Sequence, residues 1–132
     1  MDLINNMKSK INYFYTDSCV FLSGIIESMD YLSYELSHMC VRDYYDKFIN
    51  ARDLINSVIE EIRKFLDKWK DDDEDRILET FKTIKEYYGF YHVTLSNSSP
   101  NMFCKDSKYI VDSIGTARQI LLLRLKKAMN KV

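Results

Sequence analysis

Glycine and proline are scarce in this chain of 132 residues, which holds three of the first and one of the second. Gly24, Gly89 and Gly115 are scattered, so no glycine-rich loop is present to cradle a phosphate, and the usual nucleotide-binding motifs are excluded. Cysteine is as sparse. Cys19, Cys40 and Cys104 are odd in number and far apart, with no CxxC pair. That argues against a zinc ribbon or a disulfide scaffold, and fits reduced thiols in an intracellular, cytoplasmic setting. Apolar runs such as CVFL and ILLL fall far short of the ~18 to 20 residues needed to span a membrane. The opening residues show no charged segment followed by an apolar run, as a secretory signal would. An excess of one charge is also lacking: 19 Lys and Arg face 20 Asp and Glu, which gives no compositional case for a polyanion binder.

What is present is a globular composition, 46% hydrophobic and 30% charged. A chain of this length reads as one domain over residues 1–132, able to remove roughly two thirds of its unfolded surface from water. Phe, Tyr, Met, Ile, Asn and Lys number 57 against 13 for Gly, Ala, Arg and Pro. The first set has AT-rich codons, so the composition points to a low-GC microbe or virus.

The clearest periodicity lies between residues 41 and 70. Val41, Phe48, Ile55, Ile62 and Trp69 recur every seven residues, and Tyr44, Ala51, Val58 and Phe65 form a second row offset by three. These are heptad a and d positions, widened at e by Tyr45, Ile59 and Leu66, which predicts a long helix buried against more than one neighbour. The acidic run DDDED at 71–75 lacks the alternating ligands, central Gly and terminal Glu of a calcium loop; it predicts a linker that also opens the next helix. Ile77, Phe81, Ile84 and Tyr88 follow at helical spacing, with Gly89 placed to end that helix. Asp106 or Ser107 then caps a last helix lined by Ile110, Ile114, Ala117, Leu121, Leu125, Ala128 and Val132. At the other end of the chain, Leu3, Met7, Ile11 and Phe14 join in register with Phe21, Ile25, Leu32 and Leu36, so residues 2–40 form one helix, or two broken near 16–18. The predicted fold is all-α: an up-and-down bundle of four long helices, or five if the first breaks, with one irregular loop at about 89–107. Within that loop FYHVTL alternates like a strand and SNSSPN has turn chemistry.

Catalytic patterns are incomplete. Glu35 and His38 form an ExxH pair, but di-iron bundles need a second one, and the other histidine, His92, has Gly89 three residues before it. Cys104 and His92 share the 89–107 segment, the sole pairing open to a cysteine nucleophile. No cofactor and no metal is predicted.

Surface patterns say more. Glu27, Tyr31, Tyr34 and His38 align opposite the Phe21, Ile25, Leu32, Leu36 stripe, with Leu22, Ile26, Met29 and Cys40 on one flank. Tyr and His with an apolar body and a polar tip suit an interface, so Tyr31, Tyr34 and His38 are predicted to bind a partner. Phe90, Tyr91, Met102 and Phe103 are the predicted apolar anchors of the loop. The expectation is a protein–protein interaction module without catalysis: a regulator, adaptor, immunity or counter-defence factor, with a homodimer as one arrangement. The alternative is nucleic-acid binding through Arg118, Arg124, Lys126 and Lys127 on the last helix.

Overall fold

The computed structural model describes the backbone of residues 2–37, 44–70 and 76–132, and their side chains from residue 13 onward except Tyr44. Four helices run through these residues: α1 over Asp2–Ser37, α2 over Tyr44–Lys68, α3 over Ile77–Ser96 and α4 over Phe103–Met129. Cys40, Val41 and the acidic run 71–75 lie outside the described residues, as does His38. The first helix does not break near 16–18. Ser18 is buried there between Phe14, Tyr15 and Leu22, so the apolar face passes through the polar triplet without interruption.

Cross-helix pairs set the topology. Asp17 meets Lys68, Phe21 meets Phe65 and Glu35 meets Lys47, so α2 runs antiparallel to α1. Tyr91 meets Ser113 while Thr80 meets Arg124, which makes α4 antiparallel to α3. Cys19 lines a groove with Met129, whereas Leu36 lines one with Cys104, so α4 is also antiparallel to α1. The result is an up-and-down bundle in which α1 packs beside α2 and α4, and α3 packs beside the same two.

The heptad of α2 supplies the middle of the core: Ala51, Ile55, Val58, Ile62, Phe65 and Trp69 are all buried. Of the e positions, Ile59 and Leu66 pack against the core, while Tyr45 stays in solvent. Phe21 and Phe65 stack with ring centroids 4.5 Å apart, and Phe81 sets its edge against both at 4.9 and 5.1 Å, joining three helices in one aromatic cluster. Phe14 on Trp69, at 5.3 Å, extends it toward the C-terminal end of α2.

The segment 89–107 corrects the sequence expectation. α3 continues through Gly89 to Ser96, no glycine has a positive φ, and FYHVTL is helix, not strand. The reason lies in the spacing: Ile77, Phe81, Ile84 and Tyr88 continue to Tyr91 and Leu95 at intervals of three and four, and all six are buried. Their burial outweighs the roughly 1 kcal/mol by which a helical glycine is less favourable than alanine. The irregular connection shrinks to residues 97–102. α4 likewise begins at Phe103, ahead of the expected caps; Asp106 sits in its first turn and accepts a 2.7 Å hydrogen bond from Ser98, and Ser107 is buried. The chain enters α3 through Arg76, a non-glycine residue at φ 58°, whose carbonyl accepts a bond from Thr80 Oγ1.

Candidate interaction surface on the first helix

Among the described residues α1 packs against α2 and α4 and turns one side outward. Leu22, Ile25, Ile26, Met29, Leu32 and Leu36 point inward and are buried, so the flank expected to need cover is covered within the bundle. The outward side carries Tyr13, Val20, Tyr31 and Tyr34, which are 60, 69, 59 and 57% exposed. Tyr13, Val20, Glu27 and Tyr34 recur every seven residues, with Gly24 and Tyr31 between them, so they form one strip along the helix. At 1.5 Å per residue the strip is about 31 Å long. Tyr31 and Tyr34 were legible as surface residues from the helical wheel. Tyr13, Val20 and Gly24 belong to the same strip, and the signal is in the spacing: Tyr13 and Val20 stand in the seven-residue row of Tyr34, and Gly24 stands seven before Tyr31.

Gly24 stands in the middle of this strip, exposed, in a helix interior. A Cβ placed on it would meet no atom within 4 Å, so the packing of the chain itself does not require glycine there. On either side of Val20 and Gly24 the surface is hollow. Toward α4 lies an open depression lined by Cys19, Ser23, Leu125 and Met129. Toward α2 lies a groove of about 310 Å³ with Phe21, Ile25, Val58 and Phe65 in its lining, Ser28 and Ser57 among them, and two acids, Asp17 and Glu61. Among the described residues no basic side chain lines that groove.

Asp17 forms the corner where α1 meets the end of α2. Its Oδ2 accepts from Trp69 Nε1 at 2.8 Å and from Lys68 Nζ at 2.9 Å. The Lys68 ammonium also lies 5.4 Å from the Tyr13 ring centroid and 5.2 Å from that of Trp69, within cation–π range. The hydrogen bond to Asp17 raises the ammonium pKa above the ordinary lysine value. Glu61 has a looser partner, Lys64 at 3.7 Å, in solvent.

The loop anchors divide. Phe90 and Met102 are exposed, but Tyr91 and Phe103 belong to the core, where Tyr91 hydrogen-bonds Ser113 and Phe103 meets Phe48 at 6.3 Å. Once α3 extends to Ser96, Tyr91 faces inward with Tyr88 and Leu95, and the four residues no longer share one surface. The cationic set divides too. Arg118 makes two hydrogen bonds to Asp30 of α1, at 2.7 and 3.2 Å, and Arg124 donates to Thr80 at 3.0 Å, while Lys126 and Lys127 are exposed.

Cys104 is exposed at the start of α4, in a groove with Leu36, Ser37, Lys108 and Val111; His92, half-buried on α3, does not line it. Glu35 is buried and paired with Lys47 at 3.0 Å. Among the described residues no group of three or more His, Cys, Asp or Glu side chains is arranged to hold a metal ion, and no helix is long and apolar enough to cross a membrane. Comparison with protein-family models, with curated proteins and with solved structures finds no match to this chain.

Proposed function

We propose that this chain is a helical protein–protein interaction module without catalysis of its own, acting as a small regulator or adaptor, and that the outward strip of α1 is its binding face. The observation that carries this is the exposure of Tyr13, Val20, Tyr31 and Tyr34 along one strip of the helix around Gly24. Tyrosine is enriched at interfaces because its ring buries apolar area while its hydroxyl stays paired. A glycine that the chain's own packing leaves uncovered lets a partner backbone approach.

Charge weighs slightly against a second copy as the partner. Between residues 11 and 37 the sequence has Asp17, Glu27, Asp30 and Glu35 and neither Lys nor Arg. Asp17, Asp30 and Glu35 are paired with Lys68, Arg118 and Lys47, so when two α1 strips are laid on each other Glu27 is the acid that meets its own copy, a small opposition to association. The nucleic-acid alternative is less well supported, because two of its four cations are engaged within the bundle.

The test is site-specific photocrosslinking in the native host or its extract. A photoreactive residue in place of Tyr31 is expected to give one discrete adduct, and the same residue in place of Val93, equally exposed on α3, none. Equal labelling from both positions, or none from Tyr31, refutes the reading. Native mass spectrometry of the adduct tells a foreign protein from a second copy.

A further inference from the structure

The corner at Asp17 already holds a ligand of a kind, and that ligand is the chain's own. A primary ammonium sits between an acid, a tyrosine and a tryptophan: Asp17 at 2.9 Å, Tyr13 at 5.4 Å and Trp69 at 5.2 Å. Acid and ring faces together select a cation with a partly apolar stem, such as lysine or arginine. Lys68, which fills the place, is half exposed on the last turn of α2, so it can swing into water without disturbing the core.

The same Asp17 lines the groove between α1 and α2. That groove spans Asp17 to Ser28 on one wall and Leu54 to Phe65 on the other, eleven helical steps each, or about 16 Å. Three turns of helix fit that length. Its floor is apolar where Phe21 stacks on Phe65, and both ionisable residues in its lining are acids. An apolar trough with acids at its margin is complementary to a helix that is apolar on one face and basic beside it.

From these two features, sharing one carboxylate, we infer that the α1–α2 groove receives an amphipathic, basic helix of a partner protein, and that one lysine or arginine of that helix takes the place of Lys68 at Asp17. The inference rests on the reading of this chain as a binding module and names the chemistry of its partner. Gly24, on the groove edge with open space above it, is where the incoming helix comes nearest to the backbone of α1. Lys68 then acts as a competitor held in place by the fold, which makes the site selective for segments that supply both the apolar face and the cation.

Trp69 is the single tryptophan of the chain and part of the corner, so its fluorescence reports occupancy directly. The probe is a 14-residue helical peptide of leucine and lysine, with a leucine and glutamate peptide of the same pattern as control. Saturable change in Trp69 emission is expected with the first and none with the second. Lys68→Ala removes the competitor and tightens binding several-fold. Asp17→Asn keeps an acceptor for the indole and weakens binding about tenfold or more. Gly24→Leu, whose Cβ meets nothing within 4 Å in the free chain, does not lower the melting temperature and abolishes binding. Equal binding of both peptides, weaker binding by Lys68→Ala, or unchanged binding by Gly24→Leu overturns the inference. So does concentration-dependent dimerisation that Gly24→Leu abolishes, which assigns the groove to a second copy. If the peptide fails while Tyr31 still crosslinks a partner, the groove is refuted and the binding-module reading stands.

Discussion

Trp69 and Asp17, 52 residues apart in sequence, are joined by a 2.8 Å hydrogen bond from the indole Nε1 to Oδ2. The indole is almost wholly buried, and the carboxylate is its acceptor, so this bond ties the last turn of α2 to the second quarter of α1. Asp17→Ala leaves a buried donor without its partner. We expect a loss of about 1–3 kcal/mol in urea unfolding, together with a red-shifted emission from the tryptophan as water reaches it.

The aromatic cluster sets a larger effect. Phe65→Ala removes a ring that stacks on Phe21 and meets the edge of Phe81, and is expected to destabilise by about 3–5 kcal/mol. Phe90→Ala, at an exposed position, should stay within about 0.5 kcal/mol. Urea midpoints of the two variants, measured side by side, check both values, and a comparable loss at Phe90 would mean that its contact with Tyr109 is part of the core.

Gly89 offers a test of the helix that runs through it. Its φ is not positive, and a Cβ there meets nothing within 4 Å. Gly89→Ala should therefore stabilise by roughly 0.5–1 kcal/mol, through higher helix propensity and a less flexible unfolded chain. A lower melting temperature would place Gly89 at a left-handed helix end instead.

Alkaline pH should expose the tyrosines of α3. Burial raises the phenol pKa of Tyr88, with Tyr91 adding to the shift, and burial likewise raises that of Tyr91 against the opposing bond from Ser113. Above the ordinary tyrosine value of ~10, the unfolded chain releases protons that the folded chain retains, so stability falls as pH rises through that point. The Tyr88 hydroxyl is buried with no hydrogen-bond partner. Tyr88→Phe is thus expected to raise the melting temperature at neutral pH and to flatten its decline between about pH 9.5 and 11.

Periodicity carried most of the architecture. Along α2 and Trp69, the residue that follows it, six of the seven described a and d positions are buried, because a heptad held over several turns averages over local exceptions. Over 89–107 the reading went the other way: β-branched and aromatic residues beside a glycine look locally like a strand and a stop. The deciding contacts, Tyr91 and Leu95 with the rest of the bundle, are tertiary. The binding surface shows the same division. Tyr31 and Tyr34 could be placed outside from one helix alone. The groove at Asp17 and Phe65 exists only once two helices are paired, and nothing in either helix by itself announces it. A loop reading of 89–107 puts Tyr91 and Phe103 on a surface, although each lies on the buried side of its own helix.

The pairing of the first helix with the last has a consequence for biogenesis. The face of α1 that packs on α4, pinned at its margin by Asp30 and Arg118, waits for an element made after the other three helices. While the chain is still on the ribosome, α1 and α2 can pair but that side has no neighbour. The nascent protein therefore passes through a stage with a vacant apolar flank, in which chaperone capture or domain exchange between two growing copies competes with completion of the bundle.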